Sequence, residues 1–153
     1  MGSGRRRTVR VALAASGVVL GMLAAPPAAT AGGDDYTDDC KLSNASCQTG
    51  KKVTGTVGPF NKCASTATAE VCVGYDADTV FVKDRAADGH SAVAYISAQF
   101  GAVDLRYCRN TQGNGTWVKC DFDWAEDGSK EVYAGHLDGR SAKVTYKWTF
   151  SGK

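Results

Sequence analysis

Two histidines are the side chains in this sequence best suited to moving protons near neutral pH. His90 stands in Asp88-Gly89-His90-Ser91 and His136 in Gly135-His136-Leu137-Asp138-Gly139. An imidazole near its free pKa both donates and accepts a proton. With Glu70 and an arginine, the pair would suffice for acid–base work of the kind a small secreted ribonuclease performs. No motif organises them, because G-x-S-x-G, H-E-x-x-H and phosphate-binding glycine loops are all missing. Both histidines therefore read as solvent-facing turn residues, and the weight falls on binding rather than catalysis.

Trp117 is the leading candidate for binding. It follows an Asn114-Gly115 turn signal, and strand alternation puts it on a polar face beside Lys119. An exposed tryptophan supplies a large apolar plane for a sugar ring or a protein partner. Tyr107 and Tyr133 join it if their strands lie alongside. Asp121, Asp123, Glu126 and Asp127 form an acidic cluster of the chemistry calcium prefers, though not with EF-hand spacing. Asp34, Asp35, Asp38 and Asp39 form another, which reads as a solvated tail. No cofactor is expected.

Six cysteines, Cys40, Cys47, Cys63, Cys72, Cys108 and Cys120, carry neither C-x-x-C spacing nor a zinc-like histidine pattern. An even count in an exported chain reads as three disulfides. The sequence-local pairing, Cys40–Cys47, Cys63–Cys72 and Cys108–Cys120, is favoured, with crossed alternatives open for the first two bridges.

Export is indicated by the first 31 residues. Arg5, Arg6, Arg7 and Arg10 precede an apolar run from Val11 to Ala25, which ends at Pro26-Pro27 before Ala29-Thr30-Ala31. This is the charged, apolar and small-residue order of a cleaved signal peptide. The run is shorter than the roughly 20 residues of a membrane span, so no stable span is expected after cleavage. Both the general and the twin-arginine routes remain open. The whole chain has a formal charge of +2, but the four leader arginines leave 14 Lys and Arg against 16 Asp and Glu, a net of −2. A net acidic domain argues against general nucleic-acid binding.

The elements that must position these residues read as strands. Candidates are 53–57, 68–73, 79–83, 92–99, 103–109, 116–124, 130–134 and 142–150, separated by Asp88-Gly89, Asn114-Gly115, Asp127-Gly128 and Asp138-Gly139. Such spacing indicates an all-β class, a small disulfide-stabilised antiparallel β-sandwich or barrel preceded by a cleaved signal peptide. The organisation expected is a signal at 1–31, an acidic and polar segment at 32–52, and a β domain at 53–153. Residues 61–70 have room for one helical turn. Strict alternation places Ala142, Val144, Tyr146, Trp148 and Phe150 on one core-facing side. One conflict stands out. If Cys108 points inward to Cys120, then Leu105 and Tyr107 point outward, which requires a bulge or a different pairing.

Together these features lead to the expectation of a small secreted protein that binds an extracellular protein or polysaccharide, with an inhibitor and an envelope-associated binding domain as its two forms. A small ribonuclease-like hydrolase and a structural surface protein are the alternatives.

Overall fold

The computed structural model describes residues 33–152; the leader segment, 1–31, lies outside the described residues. Ten strands form two five-stranded sheets. The first has the order β1 (Ala45–Thr49), β7 (Leu105–Asn110), β6 (Ala92–Ala98), β9 (Ser129–Asp138) and β10 (Ser141–Ser151). The second has the order β2 (Lys51–Lys52), β8 (Trp117–Asp121), β5 (Thr79–Asp84), β4 (Ala69–Gly74) and β3 (Lys62–Ser65). All neighbours are antiparallel except β1 and β7, which are parallel. Among the described residues, no helix is long and apolar enough to cross a membrane.

Period-two alternation builds the core. Val71 and Val73, Val80 and Val82, and Val118 and Cys120 point inward from the second sheet. Ala92, Ala94, Ile96, Cys108, Val132 and Ala134 meet them from the first. Each fully buried valine contributes about 1.5–3 kcal/mol of transfer free energy, and the two faces close as a sandwich.

The disulfides are Cys40–Cys47, Cys63–Cys72 and Cys108–Cys120. The third does not brace a hairpin, contrary to the turn signal. Its cysteines lie on β7 and β8, which belong to different sheets, so it ties the sandwich together through the core. Residues 110–116 form the corner between sheets. Asn110, fully buried, holds that corner by donating to the Val82 and Thr116 carbonyls at 3.0 and 2.8 Å, while its own carbonyl accepts from Gln112 N–H at 2.8 Å. Asn110→Ala strands these groups inside the protein and is expected to cost about 2 kcal/mol, read as a lowered urea midpoint.

The conflict around Cys108 resolves without a bulge, since β7 runs in regular register with β6. Leu105 and Tyr107 do point away from the core, but that face is covered. Val93, Tyr107 and Leu137 pack there with Tyr36, Cys40, Cys47, Ala142 and Val144. The N-terminal strap, residues 33–41, thus gives the first sheet a second buried layer. Arg106 points inward beside Cys108, and its guanidinium donates to the Asp123 carbonyl at 2.6 Å.

A bulge occurs instead in β10. Tyr146 faces Tyr133 and Trp148 faces Val132, leaving Lys147 as the extra residue. Ala142, Val144 and Tyr146 therefore lie on the outer face, while only Trp148 and Phe150 enter the core. This corrects the expectation that all five share one side, because one inserted residue reverses parity. Three edge strands also replace simpler expectations. Residues 61–70 form most of the β3–β4 hairpin rather than a helical turn, and 53–57 is irregular chain. The polar stretch at 32–52 supplies β1 and β2 to the sheets.

Candidate functional site

The outer face of the first sheet carries a row of four tyrosines. Register places Tyr107 of β7 opposite Tyr95 of β6, Tyr95 opposite Tyr133 of β9, and Tyr133 opposite Tyr146 of β10. Their ring centroids stand 4.8, 5.1 and 5.7 Å apart in that order. Adjacent outward positions on four consecutive strands produce the row, a geometry that favours cross-strand aromatic pairs. Tyr107 donates its hydroxyl to Asp39 at 2.7 Å. Burial, followed by the Asp39 carboxylate, pushes its pKa far above the ordinary tyrosine value. Tyr133 donates to Glu131 at 2.7 Å, and that carboxylate, more than burial, pushes its pKa up to about 12.

Above one end of this row lies a groove of about 520 Å³. Tyr95, Tyr107, Ala142 and Val144 contribute its apolar lining. Thr37, Asp38 and Asp39 of the strap line it from one side, and Arg140, Ser141 and Lys143 of the β9–β10 hairpin from the other. Arg140 reaches across to Asp38 at 2.8 Å, and Lys41 bonds the same carboxylate at 2.8 Å. The hydrogen bond from Lys41, with the nearby Arg140 and Lys41 charges, holds the Asp38 pKa below the usual carboxylate range. The lining thus combines donors, acceptors and hydroxyls around aromatic surface.

The strap is fixed by Asp34, whose side chain is only 3% exposed. Its carboxylate accepts from Ser91 N–H at 2.6 Å and Gly139 N–H at 2.9 Å, and lies 3.4 Å from His90 Nδ1. Arg109 donates to the Asp34 carbonyl at 2.9 Å and lies 4.4 Å from the Tyr36 ring centroid. The contact with Asp34 raises the His90 pKa, opposed by desolvation and reinforced by the charges of Asp34, Asp88 and Asp138. A histidine whose folded pKa exceeds its unfolded value stabilises fully below about pH 6.5, and loses that contribution as pH rises through the folded pKa. The expected result is a thermal midpoint difference between the native chain and His90→Gln that is larger near pH 5.5 than near pH 8.

The histidines do not occupy separate solvent-facing turns. His136 lies within β9, both residues are half-buried, and their rings stand 5.4 Å apart. His136 Nδ1 lies 3.3 Å from Thr68 Oγ1. With Thr66, Thr68, Lys143 and Thr145, His136 lines a second groove of about 640 Å³. Glu70 is not part of this arrangement. It projects from the opposite face of β4, where it faces Lys83. Asp34 supplies the nearby carboxylate, although its sequence context resembles a solvated tail. The 56 residues separating it from His90 leave no local signal of their meeting.

Trp117 lies on the outer face of the second sheet, opposite Lys83 and two residues from Lys119. It is half-buried and stands across the sandwich from Tyr107 and Tyr133, so the tryptophan and tyrosines do not form one site. The acidic cluster is also divided. β8 ends at Asp121, which bonds Lys119 at 2.6 Å, and Asp123 follows beyond the strand. Among the described residues, no group of three or more His, Cys, Asp or Glu is placed to hold a metal ion.

No family model, curated protein or solved structure matches the chain. The chemistry of the surfaces themselves must therefore carry the functional argument. The tyrosine groove suits a hydroxyl-rich, uncharged ligand, since its apolar surface complements a ring face and its mixed polar groups can exchange hydrogen bonds. The histidine pair has proton-transfer chemistry, but Asp34 is already engaged by two backbone amides, and carboxylates surround His90.

Proposed function

We propose that this is a small secreted binding domain that holds a neutral oligosaccharide in the groove between its N-terminal strap and the β9–β10 hairpin. The observation that carries the reading is an aromatic-lined groove whose walls offer donors and acceptors without a dominant charge. The order of residues in the leader and the three disulfides favour an oxidising extracellular destination. Stacked aromatics stiffen the site, reducing the ordering cost of binding.

Isothermal titration with chitohexaose, cellohexaose and maltohexaose tests the proposal. At least one is expected to bind, and Tyr95→Ala is expected to weaken it about tenfold or more while retaining the cooperative thermal transition. Failure of all three to bind, or equal affinity in the variant, would contradict it.

A second reading has one observation in its favour, the 5.4 Å approach of His90 and His136. It makes the protein a small extracellular hydrolase with one imidazole as base and the other as acid. Cleavage of homopolymeric RNA with a bell-shaped pH profile, reduced about a hundredfold or more by His136→Gln, would support it. The carboxylates of Asp34, Asp88 and Asp138 around His90 oppose a phosphate substrate there, so the binding account is preferred.

A further inference from the structure

We infer that the outer face of the second sheet is a separate site for an acidic polysaccharide. The register gathers its cations. Lys51 of β2 faces Lys119 of β8, while Lys119 and Trp117 face Phe81 and Lys83 of β5. These side chains stand on the side opposite Val80, Val82, Val118 and Cys120, which fill the core. Lys83 Nζ lies 5.8 Å from the Trp117 ring centroid, bringing a positive charge and an aromatic plane together.

Two features distinguish this patch from scattered surface lysines. Lysines at a sheet edge resist unwanted strand pairing, which accounts for Lys51 and Lys52 on β2. It does not account for Lys83 and Lys119, because β5 and β8 are interior strands. The Lys51–Lys119 cross-strand pair also opposes like charges, an arrangement that costs stability. Such violations of a local rule are expected where function requires them. Asp121 pairs with Lys119, and Glu70 faces Lys83 from β4, so two carboxylates temper the patch. Lys51, Lys83 and Lys119 still outnumber them, whereas Lys52, opposite the inward-facing Val118, turns to the other side of β2.

Trp117 completes the chemical match. Trp124 and Trp148 are buried at 3% and 4% exposure, whereas Trp117 is half-exposed. A sugar ring can stack against its indole while acidic substituents meet Lys83 and Lys119. This site lies across the sandwich from the tyrosine groove and does not depend on the groove's proposed role. Occupation of both faces would let one domain bridge a neutral and an acidic polymer.

Tryptophan-fluorescence titration with heparin, a sulfated polysaccharide, supplies the test. Binding should change the emission, weaken by about tenfold or more between about 0.02 M and about 0.3 M salt, and weaken comparably in Lys83→Gln/Lys119→Gln. Trp117→Phe should remove the emission change, while Tyr95→Ala should leave heparin affinity intact. Circular dichroism and a cooperative thermal transition establish folding of each variant, and Lys51→Gln provides a milder second reduction in charge. Absence of heparin binding at low salt would overturn the inference. Equal binding by the folded double-lysine variant, an unchanged emission response in Trp117→Phe, or equal affinity for poly-glutamate would also overturn it.

Discussion

Replacing both Cys108 and Cys120 with alanine is expected to remove about 3 kcal/mol or more from the stability of the domain. The bridge spans 12 positions in sequence and joins the two sheets, with both cysteines only 1% exposed. Its loss frees a loop in the unfolded chain and leaves space where two sulfur atoms filled the core. Against a typical total of about 5–15 kcal/mol, this is a large fraction. Urea denaturation should show a lower midpoint with a similar slope if unfolding remains two-state. Removing Cys40–Cys47 should affect the strap more than the whole sandwich, because that bridge joins the outer cluster. A loss below about 1 kcal/mol for the Cys108/Cys120 variant would show that sheet packing does not rely on the crosslink.

Gly135→Ala is the second substitution expected to have a large effect. Gly135 lies on β9 where β10 passes so closely that an added Cβ would collide with the main-chain carbonyl of Lys143. The same Cβ would stand 2.9 Å from Val144 Cα. All three nearest atoms are main chain of β10, with no flexible side-chain end to swing away, so β9 and β10 must separate. Overpacking commonly costs about 1–3 kcal/mol, and forced backbone displacement places this variant near or above the upper end. Ala142 and Val144 line the tyrosine groove, so oligosaccharide binding should decline with stability. Gly139→Ala supplies a contrast. Its φ of +57° is strained for alanine, but no atom lies within 4 Å of the added Cβ, and the expected cost is about 1–2 kcal/mol. A thermal midpoint for Gly135→Ala no lower than for Gly139→Ala would contradict the close-approach argument.

The core was legible where alternation was undisturbed. Val71/Val73, Val80/Val82 and Val118/Cys120 announce inward faces by period two, and the same pattern located most of β4 through β7. It failed in β10 because Lys147 is inserted between Tyr146 and Trp148 and reverses parity without a distinctive residue type. β1 and β3 lack a long apolar alternation because each is an edge strand with few buried positions. Asn114-Gly115 signalled a turn, but a local signal could not reveal that the chain changes sheets there.

The candidate sites were legible only in part. Tyr107 and Tyr133 stood out as aromatics, yet their alignment through Tyr95 depends on the nonlocal order β7-β6-β9-β10. Sequence parity likewise placed Trp117 and Lys119 on one polar face, but the relation of that face to the tyrosines required the packing of two sheets. Asp34 had no visible role until the strap brought it to His90, Ser91 and Gly139.

Amide chemical-shift mapping by NMR, with whichever of the three hexasaccharides binds most tightly, tests the central claim most directly. At saturation, the largest changes should form one contiguous patch at Thr37–Asp39, Tyr95, Tyr107 and Arg140–Val144, and Tyr95→Ala should suppress them. Changes centred instead on Trp117 and Lys119, or on His136 and Thr68, would contradict the assignment of the tyrosine groove as the oligosaccharide site.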